Sequence, residues 1–319
     1  MKQRTSGNRH HQLTLLLFLV TPIVVYSFLA ALSSAQKPTS KTGPALLEVS
    51  HPSRSATPKA TPNEIKIVSY NIRWRSGDEL REISKALTGD TVIGGAAIVG
   101  LQEVDRNKKR TGNANTSHAL AEDLGMYYAW AAPPTPKSDM EEETGVAILS
   151  RYPLTDIERL VLPHDGPGGR RRVALGATVK VGETSIRVYS VHAETRIPVA
   201  GKLDQMRAVL DDLAHYPKTM PAIVLGDFNT WEVSAVDETT KLFKDAGFST
   251  PFAENEPTFF TKVLISIELK LDWIWLRGLP VVNHGIDRKI AVSDHWPLWT
   301  VVRFQSDRGI SGGIRRPMK

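Results

Sequence analysis

The stretch Ile223-Val224-Leu225-Gly226-Asp227-Phe228-Asn229-Thr230 decides how the chain is read. An apolar run of strand length stops abruptly at a carboxylate and an amide two residues apart. On an extended chain those two side chains project to the same side. A second turn of this kind, Val292-Ser293-Asp294-His295-Trp296-Pro297, lies near the C-terminus. Oxygen donors so placed suit a hard divalent cation such as Mg²⁺ or Mn²⁺, and the histidine beside them is a proton carrier. The pattern points to metal-assisted phosphoester hydrolysis.

Outward from that stretch, the sequence predicts strands over 65–70, 97–102, 127–131, 144–150, 155–162, 171–180, 185–191, 222–226, 271–276 and 297–304. Helices are expected over 78–87, 117–124, 198–213 and 239–246, the third with Leu203, Met206, Leu210 and Leu213 at helical spacing. Several strands are near-continuous apolar runs, as strands covered on both faces are. That suits two packed sheets with helices outside. Polar clusters recur at the strand ends: Ser69-Tyr70-Asn71, Gln102-Glu103-Val104-Asp105, Val191-His192-Ala193-Glu194, Gly226-Asp227-Phe228-Asn229, Leu271-Asp272-Trp273 and Ser293-Asp294-His295. Residues leaving the same edge of packed sheets converge on one cleft.

The chain has 319 residues, 41% of them hydrophobic, enough for one large α/β domain plus an extension or for two small domains. It has no cysteine, which excludes a disulfide framework, a thiolate metal site and a cysteine nucleophile. The net charge of +6 belongs to the two ends, since residues 63–319 carry as many acids as bases. Total charge therefore says little about what the body binds. Residues 13–32 are uncharged and apolar and follow Lys2, Arg4 and Arg9, so 1–35 reads as a cleaved signal peptide or an uncleaved membrane anchor. Either reading exports the rest to a secreted, periplasmic or membrane-tethered location. Residues 36–62, rich in Pro, Ser, Thr and Lys, are expected to be a disordered linker. The catalytic domain is expected over 63–304 and a basic flexible tail over 305–319.

Taken in order, these clusters resemble the endonuclease/exonuclease/phosphatase superfamily, which includes deoxyribonuclease I, exonuclease III-type abasic endonucleases and neutral sphingomyelinases. The resemblance runs from about Ile65 to Phe304. It implies a four-layer α/β/β/α sandwich, deoxyribonuclease I-like, with the active site at one edge of the paired sheets. It implies Glu103 as the main Mg²⁺ ligand, with Asn71 beside it and Asp294 completing or water-bridging the ion. Asp227 and Asn229 would meet the scissile phosphate and the attacking water, although an Asx-turn closing the strand is an equally good geometry for that pair. Asp272 and His295 look like the family's carboxylate–histidine pair; a carboxylate buried in a strand needs such a partner. Ser190-Val191-His192 follows the deoxyribonuclease I and sphingomyelinase branches, so His192 would hydrogen-bond the phosphate or protonate the leaving oxygen. No carboxylate partner for His192 is legible. Arg170-Arg171-Arg172 reads as an anion-binding cleft wall or as a solvated basic cluster.

The function implied is in-line water attack on a phosphodiester by an exported, monomeric nuclease or phosphodiesterase. A sphingomyelinase-like lipid or small-molecule phosphoesterase is the alternative, and a catalytically inactive binding domain of the same fold is the third reading.

Overall fold

The computed structural model describes residues 46–53, 62–134, 143–262 and 265–304. Its elements in chain order are β1 (Leu47–Ser50), β2 (Glu64–Asn71), α1 (Gly77–Gly89), β3 (Ile98–Arg106), α2 (Thr116–Leu124), β4 (Tyr127–Ala131), β5 (Glu143–Ser150), β6 (Leu154–Val161), β7 (Val173–Val181), β8 (Thr184–His192), α3 (Val199–Leu213), β9 (Ala222–Asp227), α4 (Val233–Asp245), β10 (Phe259–Lys262), β11 (Ser266–Leu269), β12 (Asp272–Arg277), β13 (Val281–Ile286) and β14 (Leu298–Arg303). One sheet runs β1-β4-β5-β3-β2-β14-β13, the other β12-β9-β8-β7-β6, and β10-β11 form a separate hairpin.

Two parallel pairs place the functional strand ends. β2 lies parallel to β3 with α1 as the crossover, and β8 lies parallel to β9 with α3 as the crossover. Parallel neighbours finish at the same sheet edge, so Asn71, Glu103, His192 and Asp227 all emerge together. The antiparallel partners then add the remaining groups. β12 begins opposite the end of β9, with Asp272 in register with Asp227. β14 begins opposite the end of β2, with Leu298 in register with Ser69, which brings 293–297 to the same edge.

Alternation along the strands sorts side chains into layers. Ile67, Ile98, Ile148, Leu175, Val188, Ile223, Leu225 and Ile274 face inward between the sheets. Val68, Val99 and Leu149 face out beneath Leu80, Ile83 and Leu87 of α1 and Leu120 of α2. Tyr189, Val224 and Trp275 pack under Met206 and Val209 of α3 and Phe243 of α4. The fold is therefore the four-layer α/β/β/α sandwich expected. At Gly226 the backbone takes φ +136°, and a Cβ there would stand 2.0 Å from the carbonyl oxygen of Val191. Only glycine permits so close an approach of β9 to β8.

Several expectations are corrected. The stretch read as a disordered linker, 36–62, contributes β1, which pairs antiparallel with β4. Its Glu48 accepts from Arg106 Nη1 (2.9 Å) and Asn115 Nδ2 (3.0 Å) and also bonds the Tyr128 hydroxyl. α4 starts at Val233, six residues before the expected helix. Three further strands, β10, β11 and β13, were not expected; all are short or exposed and lack a clean apolar alternation. The leader 1–35, with its apolar run 13–32, and the tail 305–319 lie outside the described residues. Among the described residues no helix is long and apolar enough to cross a membrane.

Because β1 belongs to the sheet, Glu48→Ala should lower stability by about 1–2 kcal/mol, between the values for exposed and buried pairs. Urea denaturation of the variant against the parent protein measures it.

Candidate active site

Asp227 ends β9 and sits at the centre of the cleft floor, buried at 2% exposure. Its Oδ2 accepts from Asn71 Nδ2 (3.0 Å) and faces His192 Nε2 (3.6 Å) and His295 Nε2 (3.8 Å). Its Oδ1 accepts from the backbone N–H of Asn229 (3.0 Å), the Asx-turn geometry, and Asn229 adopts φ +53° to close it. Asn229 Nδ2 donates to Ala193 O (3.0 Å), so the amide ties the ends of β8 and β9 together. Buried Lys202 of α3 donates to Asn229 O (3.0 Å) and fixes the turn from below.

His295 is held by Asp272, whose Oδ2 accepts from Nδ1 (2.8 Å). Thr258 Oγ1 donates to the same Asp272 oxygen (2.7 Å) while accepting from the backbone N–H groups of Leu271 (3.0 Å) and Asp272 (2.9 Å). The Phe259 ring meets the imidazole edge-on at 4.9 Å. Burial disfavours the charged imidazole, but the carboxylates of Asp272 and Asp227 outweigh it and raise its pKa to about 10. His295 is therefore an imidazolium. The Asp227 carboxyl moves the opposite way from an ordinary aspartate, up to about 7, chiefly through burial; His295 opposes the rise while Asp272 and Glu103 add to it.

His192 has a different partner from any expected. Arg172 Nη1 donates to its Nδ1 (3.2 Å), and Arg172 is in turn held by buried Glu194 (3.1 Å), which also pairs with Arg170. A guanidinium cannot accept, so Nδ1 is the unprotonated nitrogen and the proton resides on Nε2, aimed at Asp227 and Glu103. Burial together with Arg172 and His295 pushes the imidazole well below its ordinary pKa, so it stays neutral. Of the two roles expected of His192, this tautomer suits the hydrogen-bond donor, and of the two readings of the arginine run the cleft wall is the one the structure sets aside. Arg172 and Arg170 are taken up by Glu194, and Arg171 pairs with Asp165.

Glu103 lies in a bulge of β3, with φ +55°, that re-aims its side chain into the cleft. Its Oε1 stands 3.8 Å from His192 Nε2 and 3.5 Å from Asn71 Nδ2; Oε2 is buried with no hydrogen-bond partner. Asp272 Oδ1 is likewise buried and unpaired. Ligand atoms of Asp227 and Asp272 lie within 4.8 Å of each other, with the His295 imidazolium beside them as a donor and not a ligand. Orphaned carboxylate oxygens beside further buried acids form a hard-oxygen donor set short of positive charge, and a divalent cation fits it. Of the three ligands expected, Glu103 presents a free oxygen. Asn71 turns its Oδ1 to the Arg73 N–H (3.0 Å), and Asp294 pairs with Arg73 Nη1 (2.8 Å), so these two would serve only after turning.

All eight residues expected at the site border one cleft of about 600 Å³ or its floor. Sequence reasoning missed its walls: Arg73 and Trp74 after β2, Arg196 after β8, Trp231 after β9, and Phe259 and Leu269 of the hairpin. The signal available was tryptophan and arginine directly following ligand-bearing turns.

With this geometry in hand, residues 68–295 match the Endonuclease/Exonuclease/phosphatase family. The chain belongs to that family. Its members are hydrolases of phosphoester bonds and typically use divalent metals. No curated protein matches the chain. Among solved structures, an endonuclease/exonuclease/phosphatase family protein from Leptotrichia buccalis C-1013-b is similar at 18% identity, covering 75% of this chain and 100% of that one with a TM-score of 0.59. A family member from Beutenbergia cavernae DSM 12333 is similar at 19% identity over 76% of this chain and 72% of that one, TM-score 0.60. TDP2 from D. rerio, complexed with single strand DNA product, is similar at 17% identity over 76% of this chain and 100% of that one, TM-score 0.58. At these identities the likeness is one of fold.

Two outcomes follow for the site. Nitrogen-15 NMR of His192 should find Nε2 protonated and Nδ1 bare. A divalent cation at about 100 times its dissociation constant should stabilise the fold by about 2.7 kcal/mol, a gain that Glu103→Gln should largely remove.

Proposed function

We propose that this domain is an exported, Mg²⁺-dependent phosphodiesterase of the nuclease kind, hydrolysing its substrate by in-line attack of water. The observation that carries the reading is the opposed setting of two histidines flanking one carboxylate: His295 held by the Asp272 carboxylate and His192 held by the Arg172 guanidinium, either side of Asp227. A structural cluster has no need of two such different imidazoles around a buried acid. A phosphoryl group seated there meets one cation and one neutral donor, which suits charge developing on the equatorial and leaving oxygens.

In this reading Asp227 orients the attacking water and takes its proton, and its elevated pKa makes it a competent base near neutral pH. His192 Nε2–H donates to a non-bridging oxygen. His295, held in line by Asp272 and Thr258, stabilises the departing oxygen. Asn229 holds the turn that presents Asp227. Glu103, with Asn71 and Asp294 turned toward the same place, would hold a magnesium ion, which when bound would supply charge neutralisation at the phosphate. The apolar run 13–32 after a basic N-terminus supports export, with secretion or membrane tethering as the two forms of it.

Assay of the purified protein on bis-p-nitrophenyl phosphate should give turnover that EDTA abolishes and Mg²⁺ restores. Asp227→Asn keeps the acceptor for the Asn229 N–H but not the base, so it should reduce turnover on the order of a hundredfold or more while leaving the circular dichroism spectrum unchanged. Full activity in that variant, or in excess EDTA, would overturn the assignment.

A further inference from the structure

α3 crosses from the end of β8 to the start of β9, and its buried face is not uniformly apolar. Leu203, Met206, Val209 and Leu213 are buried at helical spacing, as an amphipathic helix requires. Lys202 (2% exposed) and Gln205 (0%) are buried with them. A charge and an amide under a sheet cost free energy unless they bond something. Both do, and each bonds the backbone beyond a strand end that carries a site residue. Lys202 Nζ donates to Asn229 O (3.0 Å), in the turn whose N–H is accepted by Asp227 Oδ1. Gln205 Oε1 accepts from the Glu194 N–H (2.8 Å), two residues past His192, while Nε2 donates to Pro163 O (2.8 Å). Three residues apart on a helix, the two side chains project to one face.

We propose that Lys202 and Gln205 are positioning residues for the hydrolysis, one for each half of the Asp227–His192 pair. The inference rests on the phosphodiesterase reading and adds the element that sets the spacing between base and donor. Packing alone would be served by two more apolar side chains, and neither residue lines the cleft to meet substrate. Lys202 acts through the Asn229 carbonyl on the turn that orients Asp227, its ammonium steadied by Glu232 Oε1 at 3.9 Å and by the Trp231 ring, 5.1 Å to the centroid. Gln205 acts at longer range. It fixes the backbone of Glu194, whose carboxylate accepts from Arg172 Nε (3.1 Å), and Arg172 Nη1 donates to His192 Nδ1 (3.2 Å). The β8–β9 ladder ends at the register pair His192–Asp227. Beyond it one helix grips both chains, and a misplacement of about 1 Å there would cost on the order of a hundredfold in rate.

The full-length protein with Mg²⁺ is assayed on bis-p-nitrophenyl phosphate, and His192 is followed by nitrogen-15 NMR. Lys202→Met and Gln205→Met keep the bulk of each side chain without its bonds. Each should lower kcat about tenfold or more and leave KM within about twofold, because the loss falls on the transition state rather than on binding. Gln205→Met should also disturb the His192 spectrum, its single tautomer giving way to a mixture, whereas Lys202→Met should leave that spectrum unchanged. Val209→Ala loosens the same helix without touching either strand end, so it should lower the melting temperature yet hold kcat within about twofold. A kcat loss in Val209→Ala equal to that of the methionine variants overturns the proposal, as does a parent-like kcat in either of them. An unchanged His192 spectrum in Gln205→Met overturns the route through Glu194 and Arg172. In each of those cases turnover by the parent protein leaves the phosphodiesterase reading intact. A parent protein that does not hydrolyse the diester removes that reading and this proposal together.

Discussion

Strand β9 is hydrogen-bonded in parallel to β8 on one side and antiparallel to β12 on the other, so Asp227 has His192 and Asp272 as its register partners. A one-residue slip in either pairing would turn the partner's side chain to the opposite sheet face and dissolve the cluster. The register is fixed away from the cleft by Val188, Ile223 and Ile274 buried between the sheets, and directly beneath it by the close passage of Gly226 against Val191. The chemistry is thus positioned by backbone pairing and core packing, and the loops only complete it. That is why buried polar groups at the floor are tolerated: each occupies a place the strands give it.

Charge sets the second constraint. The floor gathers Glu103, Asp227 and Asp272 with limited neutralisation from His295, and two carboxylate oxygens have no protein donor. Such an arrangement costs folding energy unless a cation joins it, and it is the same arrangement that handles a phosphate's negative charge. Glu194 plays the contrary part on the far side of His192. By absorbing Arg170 and Arg172 it keeps the guanidinium that fixes the imidazole's tautomer from straying into the cleft.

The sandwich and the floor were legible in the sequence because strand ends bearing ligands are rare and six of them occur in order. What stayed hidden depends on pairing between distant segments. The role of Arg172 is one example: it precedes Val173, whose register partner on β8 is His192, and nothing in the run Arg170-Arg171-Arg172 announces that neighbour. β13 is another, since Val281–Ile286, exposed over its first four residues, follows no apolar alternation and is recruited by backbone hydrogen bonding to β14. β1 hid within a proline- and serine-rich stretch because its contribution is one carboxylate, Glu48, reaching Arg106 and Tyr128. The helix over 233–245 opens on exposed Val233, and its buried face, Ala235, Val236, Thr239, Thr240 and Phe243, has helical spacing but is part threonine, which thins the apolar signal.

The backbone at position 103 has a cost that its side chain conceals. A glutamate has little reason to rest in the left-handed region, and the surrounding ladder must hold it there against its own preference. Asparagine or glycine would sit in that conformation more comfortably. Selection for a tougher fold and selection for catalysis therefore pull this one position in opposite directions, and a variant that melts later while doing nothing is the natural product of the first pressure acting alone.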